Sequence, residues 1–182
     1  MDFQKFQQLV EHRTGFRTMD DAMASGEYFS DSCGDMYSYF LKVGPGDVIE
    51  DISYFTTGCG FGTATCSLLV ELARGKTLDQ ALAISDKDIM DALGGYPEKK
   101  ADYPERSRLA LQAAIADFKA KRAAGTITDA MLANAHAEAA AALAAAAAEA
   151  AAKPVTVPAE HIPAPAPRIV GTDGGKLTIS LR

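Results

Sequence analysis

Three cysteines carry most of the chemistry that this sequence could perform. Cys33 stands in a Cys-Gly-Asp run with Asp35, Cys59 stands between two glycines, and Cys66 follows seven residues later. An odd number of cysteines suits free thiols or metal ligands better than a set of disulfides. Thiolates are soft ligands that bind iron and zinc. We therefore expect reduced thiols, used either for metal binding or, as small apolar side chains, for packing.

Local sequence predicts that two of these thiols meet at one site. Cys33 and Asp35 precede the first predicted strand, and side chains two residues apart in an extended chain share a face, so we expect a thiol beside a carboxylate. The glycines that flank Cys59 permit positive φ and leave its sulfur open. A helix predicted to begin directly after Cys59 should lower the pKa of its thiol.

Cys66 is expected to have a different role. If the chain after Cys59 is helical throughout, Cys66 lies about 10 Å further along the helix, which is too far to share a small cluster easily. Packing inside the fold is therefore the expected role of Cys66. An unwound glycine loop after Cys59 would instead leave Cys66 as a further candidate metal ligand.

Two predicted strands separate Cys33 from Cys59, and helices surround them. A Gly-Pro-Gly-Asp turn at residues 44–47 joins strands at 36–43 and 48–56, which predicts an antiparallel hairpin that can bring its ends back together. Helical spacing and capping residues predict helices at 2–13, after Cys59 up to Gly75, from Thr77, from Ser85 to Gly94, and at 104–122.

The composition changes after Gly125. We predict a first domain at residues 1–124, an Ala-rich helical extension at 125–153 with too few large apolar groups for a core, and a tail at 154–182. The tail reads as a Pro-rich linker followed by a short C-terminal hairpin or strand, with disorder as the alternative.

Charge and hydropathy exclude several classes of partner. The net charge is -6, and the lysines and arginines are scattered among carboxylates, so no basic surface for nucleic acid is expected. The first residues lack the apolar core of a signal peptide, and no stretch resembles a membrane span. We therefore expect a cytoplasmic protein that binds neither nucleic acid nor membrane.

Three segments in order resemble the iron-sulfur cluster assembly scaffold family, of the NifU N-terminal domain or IscU type. They are SCGDMYSYFLKV, TTGCGFGTATC and GKTLDQAL, and the resemblance covers roughly residues 3–120. It implies an α+β fold, a small antiparallel sheet with helices packed on one face, with ligands at one exposed end. It also implies a non-enzymatic scaffold or carrier that passes a cluster to acceptor proteins.

The resemblance assigns roles to matching residues and exposes one departure. By position, Cys33 and Cys59 would be cluster ligands and Asp35 the residue that keeps the site labile. The family's third ligand cysteine, usually preceded by histidine, is replaced here by Asp102-Tyr103. Asp102 is a candidate carboxylate ligand, although oxygen is a harder donor than cluster iron usually takes.

The cofactor and partners follow from the same resemblance. We expect a [2Fe-2S] cluster in preference to [4Fe-4S], with a single Fe or Zn ion as another option. A cysteine desulfurase and Fe-S acceptor proteins are the implied partners. Two ligand cysteines per chain make four per pair of chains, which predicts a homodimer that shares one cluster.

Two alternatives stay open. The loss of the third cysteine favours a degenerate paralogue that acts as a protein-interaction module without a cluster. A thiol or persulfide sulfur-transfer protein, with the sulfur carried on Cys59 or Cys66, is the other.

Overall fold

A computed structural model of the protein describes residues 1–152, 168–173 and 176–180, with side chains up to residue 150. The chain forms two compact units, Met1–Ala146 and Ala147–Arg182. The predicted Pro-rich linker falls almost entirely at 153–167, outside the described residues. No helix in the described part of the chain is long and apolar enough to cross a membrane.

The helices and strands follow the predicted order, with one strand that the sequence did not predict, β1. In chain order the elements are α1 Phe3–His12, β1 Ala24–Ser30, β2 Asp35–Gly44, β3 Val48–Thr56, α2 Gly60–Ala73, α3 Leu78–Leu82, α4 Asp86–Ala92, α5 Tyr103–Ala123, α6 Asp129–Ala152, β4 Arg168–Asp173 and β5 Lys176–Ser180. Short 3-10 turns lie at Pro45–Asp47 and Glu98–Lys100.

The first three strands form an antiparallel sheet in the order β1-β2-β3. The predicted hairpin is confirmed as β2 and β3, which pair from Tyr37 opposite Thr56 to Gly44 opposite Val48. Helix α5 packs on β1 and β2, and α2 packs on β3. The α+β fold with helices on one face of a small sheet is therefore confirmed.

Three tyrosines from the sheet fill the centre of the core. Tyr37, Tyr39 and Tyr54 have no exposed surface. The Tyr39 hydroxyl lies 2.6 Å from Ser107 Oγ, and the Tyr54 hydroxyl lies 2.7 Å from Ser67 Oγ. Because a buried hydroxyl needs a hydrogen-bond partner, these two serines explain why α5 and α2 present polar residues to the core.

Gly26 in β1 allows α5 to lie directly on the sheet. A Cβ at this position would come within 2.0 Å of the backbone nitrogen of Ala114. Glycine inside a strand commonly marks such a close backbone approach. The helix that packs on β1 therefore depends on the absence of a side chain at residue 26.

The start of α6 contributes to the core, contrary to the expectation for the Ala-rich segment. Leu132 and Ala135 are 4% exposed. Glu138 pairs with Lys42 at 2.8 Å, and His136 Nδ1 lies 2.6 Å from Glu50 Oε1. The helix therefore packs against the core through small alanines and these polar contacts, although the sequence has few large apolar groups in this segment. The predicted boundaries at 124 and 153 stay a prediction.

The second unit contains the remaining strands. β4 and β5 pair as an antiparallel hairpin with a register irregularity between Ile169 and Thr172. A hairpin was one of the structures that the sequence allowed for this tail.

Candidate functional site

Cys33 lies in the turn between β1 and β2. Its backbone N–H and that of Gly34 donate to the Ser30 carbonyl at 3.3 and 2.8 Å, and Gly34 adopts a φ of 71°. Cys33 and Asp35 therefore do not share one face of an extended chain, contrary to the prediction from the sequence, because the left-handed glycine interrupts the alternation. The Cys33 side chain is exposed.

Cys59 is the residue that precedes the first turn of α2, as predicted. Neither Gly58 nor Gly60 uses the positive φ that glycine permits. Gly58 instead provides space. A Cβ there would lie 3.3 Å from Asp35 Oδ2 and 3.4 Å from the Tyr37 hydroxyl. The structure thus brings the Asp35 carboxylate to the loop that carries Cys59, by a route different from the one expected.

The Cys59 thiol faces the beginning of two helices. Its sulfur lies 3.3 Å from the Tyr103 hydroxyl, which in turn accepts a hydrogen bond from Lys100 Nζ at 3.2 Å. Partial burial would raise the pKa of this thiol. The Tyr103 hydroxyl, the amides of Gly62 and Phe61, and the charge of Lys100 outweigh it and lower the pKa below its ordinary value. The predicted effect of the helix N-terminus is confirmed in direction.

The Cys33 thiol is held by a residue that the sequence analysis missed. Arg106 Nη1 donates to Cys33 Sγ at 2.7 Å, and Nη2 donates to Ser32 Oγ at 3.0 Å and forms an ion pair with Asp102. The arginine side chain is only 10% exposed. Its guanidinium carbon lies 4.9 Å from the centre of the Tyr103 ring.

These contacts link the two exposed thiols through one helical turn. Cys33 contacts Arg106, Arg106 stacks on Tyr103, and Tyr103 contacts Cys59. The single signal available in the sequence was spacing, since residues three and four apart share a helix face. Arg106 follows Tyr103 by three positions and Asp102 by four.

Asp102 itself lies at the N-terminus of α5, with its side chain half exposed. Its observed partner is Arg106. The Asp102 carboxylate is therefore linked to the Cys33 thiol by way of Arg106, which contacts both. Its role as a metal ligand stays a prediction.

Cys66 lies in a separate environment. It has no exposed surface, and its sulfur is 3.5 Å from Ser107 Oγ. Burial raises the pKa of this thiol to about 11. The expected packing role agrees with this placement inside the core.

Tyr37 places a buried hydroxyl beside the thiol-bearing loops. Its oxygen makes no hydrogen bond of standard geometry within the part of the chain whose side chains are described, although the Arg106 guanidinium lies close to it. A Cβ on Gly62 would lie 3.3 Å from it. Burial raises the pKa of Tyr37, so the hydroxyl keeps its proton and is available as a donor.

The donor set fits part of a cluster ligand sphere. Two exposed thiols and the Asp35 carboxylate lie at one open end of the fold. Within the described residues, however, no group of three His, Cys, Asp or Glu side chains is close enough to hold a metal ion. The set Cys33, Asp35 and Cys59, with Cys66 and Asp102 as further candidates, thus stays a prediction.

Known proteins resemble this chain over the same region. The family model described as NifU-like N terminal domain matches residues 5–125. The iron-sulfur cluster assembly scaffold protein IscU of Aquifex aeolicus is 34% identical over 126 residues, covering 67% of this chain and 80% of that protein. The protein of the same name from Escherichia coli K12 is 38% identical over 109 residues, covering 60% and 84%.

A solved structure shows the same fold. It is the putative iron-sulfur cluster assembly scaffold protein for the SUF system of Fervidobacterium islandicum AW-1, with a TM-score of 0.52 and 18% identity, covering 62% of this chain and 94% of that one. At this identity the likeness concerns the fold alone. Because the family model spans most of the chain, including both exposed cysteines, the chain belongs to the NifU-like N-terminal domain family.

Proposed function

We propose that this protein is a scaffold or carrier on which an iron-sulfur cluster is assembled and from which it passes to acceptor proteins. The observation that carries the proposal is that two exposed thiols, Cys33 and Cys59, each contact a side chain of the N-terminal turn of α5, Arg106 and Tyr103 respectively. The names of the relatives describe the same role for those proteins. The protein acts here as a binding platform and not as an enzyme.

The chemistry of the site supports cargo that must leave again. Thiolates are the ligands that iron-sulfur clusters use, and the lowered pKa of Cys59 favours the ligand form. Asp35 offers an oxygen donor, which binds cluster iron more weakly than sulfur does. An open site with two strong donors and one weak donor holds a cluster without enclosing it.

The ligand count supports a shared cluster. A [2Fe-2S] cluster needs four protein ligands, and two chains would supply four thiolates through Cys33 and Cys59. We therefore propose a homodimer bridged by a [2Fe-2S] cluster, loaded with sulfur by a cysteine desulfurase. Three free thiols suit a reducing compartment such as the cytoplasm.

Anaerobic reconstitution with iron and sulfide tests this function. Wild type should gain the visible chromophore, Cys33→Ser and Cys59→Ser should lose it, and Cys66→Ser should keep it. Cys66→Ser is the matched control, because it changes a buried thiol that contacts neither Cys33 nor Cys59. If Cys66→Ser alone became colourless, the ligand assignment would be wrong. A holo-protein that elutes as a strict monomer would exclude the bridged dimer.

Sulfur transfer is the second candidate, and the environment of Cys59 favours it. A thiolate at this position could attack the outer sulfur of a donor persulfide, forming a new persulfide on Cys59 and releasing the donor as a thiolate. Cyanide-releasable sulfur on Cys59, in a protein that takes up no iron, would support this candidate over the scaffold. If the protein binds neither iron nor cyanide-releasable sulfur, the remaining function is that of a protein-interaction module without a cluster.

A further inference from the structure

The first turn of α5 carries Arg106, close to the position at which the family resemblance implies a third ligand cysteine. The matching positions hold Asp102 and Tyr103, and the structure joins both of them to Arg106. The guanidinium fork reaches Cys33 and Ser32 at the same time. A side chain that is 10% exposed and has four fixed neighbours is held in one orientation.

A guanidinium is not itself a metal ligand, because it stays protonated and has no free electron pair to donate. It acts on the sulfur that it contacts. An N–H donor at 2.7 Å fixes the direction of the Cys33 sulfur and withdraws electron density from it. In metal sites, partners of this kind orient the ligands and tune affinity, and hydrogen bonds to sulfur help to set the reduction potential of a cluster.

We propose that Arg106 is a positioning residue for the cluster: it holds the Cys33 sulfur toward Cys59 and keeps its hydrogen bond to that sulfur when iron is bound. This inference rests on the proposed function. In this arrangement the α5 turn contributes a hydrogen-bond donor and a positive charge to the cluster, in the region where relatives supply another sulfur.

Asp102 then has a defined indirect role. It shares the guanidinium with Cys33, so its negative charge offsets part of the positive charge that Arg106 presents to the sulfur. Tyr103 supports the same residue from the side, since its ring lies against the guanidinium. Where relatives have a histidine and a ligand cysteine, Asp102 and Tyr103 thus support Arg106 by an ion pair and by stacking, and bind no metal themselves.

Arg106→Leu is the main test, with Arg108→Leu as the matched control. Arg108 lies on the same helix and pairs with Asp86 at 2.6 Å, away from both thiols. After anaerobic reconstitution, Arg106→Leu should lose iron to excess EDTA about 10- to 100-fold faster than wild type, the range typical of a lost second-layer contact. Its cluster should also have a lower reduction potential. Arg108→Leu should match wild type in both measurements.

The potential separates positioning from a purely structural effect. Arg106→Lys, which keeps the charge but not the fork, should fall between wild type and Arg106→Leu. Asp102→Asn should raise the potential in the wild-type background and leave it unchanged in the Arg106→Leu background, because Asp102 acts through the arginine. An equal rise in both backgrounds would mean that Asp102 acts on the cluster directly and would overturn the inference.

Other outcomes are equally decisive. If wild type takes up no cluster, the proposed function fails and this inference fails with it. If wild type takes up a cluster and Arg106→Leu retains it with the same potential and the same rate of iron loss, only the inference about Arg106 is overturned. If Arg106→Leu is too unstable to load, Arg106→Lys decides: a potential and a rate of iron loss equal to those of wild type would overturn the inference, since lysine cannot reproduce the guanidinium fork.

Discussion

Two cysteines seven residues apart, Cys59 just before helix α2 and Cys66 within it, have opposite properties. Cys59 is exposed, contacts Tyr103 and has a lowered thiol pKa. Cys66, two turns further, has no exposed surface, and its thiol pKa is raised to about 11. Position in the fold, and not residue type or proximity in sequence, therefore decides which thiol can act as a ligand or nucleophile.

The largest expected contrast between the two regions is in thiol reactivity. The pKa of Cys66 is about 11, and that of Cys59 lies below the ordinary value of 9.0. Because the thiolate is the reactive form, Cys59 should react with iodoacetamide at neutral pH about 100-fold faster or more, and burial of Cys66 widens the gap. Peptide mass spectrometry after timed labelling measures both rates. If Cys66 in the native protein were labelled as fast as Cys59, the two thiols would not differ in reactivity as expected. Urea-unfolded protein, in which both cysteines should react, is the control.

Alkaline pH should weaken the interior around Cys66. The folded pKa of about 11 exceeds the ordinary value of 9.0, so the unfolded chain loses this proton first as pH rises. The stability that the group contributes is present below pH 9 and is lost as pH rises from about 9 to 11, by about 3 kcal/mol.

Urea unfolding of wild type and Cys66→Ala at pH 8, 9 and 10 measures the first part of this loss, about 1.4 kcal/mol. Burial also raises the pKa values of the buried tyrosines, and the Cys66 thiolate adds to this effect, so the difference between the two slopes reports Cys66 together with its influence on those tyrosines. Parallel slopes would show that Cys66 has the same pKa in the folded and the unfolded protein, and the assignment of its environment would have to be revised.

A pair of tyrosine substitutions gives the smallest and most local contrast. Tyr39→Phe removes the 2.6 Å contact with Ser107 inside the core and should lower the free energy of unfolding by about 1 kcal/mol. Tyr103→Phe should change stability by less than about 0.5 kcal/mol, since the hydroxyl contacts a thiol and a lysine at the open end.

Tyr103→Phe should instead change the chemistry of Cys59. The lost hydroxyl is one of the groups that lower the pKa of this thiol, so the pKa should rise and labelling at neutral pH should slow. Denaturant unfolding and labelling rates, measured on both variants, check the pair. A reversed outcome, with Tyr39→Phe affecting Cys59 labelling, would remove the distinction between the two regions.

The sequence was informative where structure is specified locally. The Gly-Pro-Gly-Asp turn defined the β2–β3 hairpin, and Thr77 and Ser85 marked helix starts at which the structure has capping boxes. The family resemblance also indicated the fold and the two exposed cysteines. These features depend on residues within a few positions of each other.

The sequence failed where contacts are distant. β1 has the sequence ASGEYFS, which is poor in strand-forming residues, and it becomes a strand because it pairs with β2 and lies under α5. Cys33 and Arg106 are 73 positions apart, so no local pattern could connect them. The turn at Gly34 likewise depends on a strand that was not predicted.

The contact at Gly26 has a consequence for the N-terminal turn of α5, which carries Arg106. Ala114, which rests on that glycine, is eight residues from Arg106, or about 12 Å along the helix axis. If the helix moves as a rigid rod, a tilt of about 10° at this support would displace the guanidinium by about 2 Å, enough to break its bond to Cys33. A methyl group added beneath the helix would therefore loosen the contact between Arg106 and Cys33 without changing either residue.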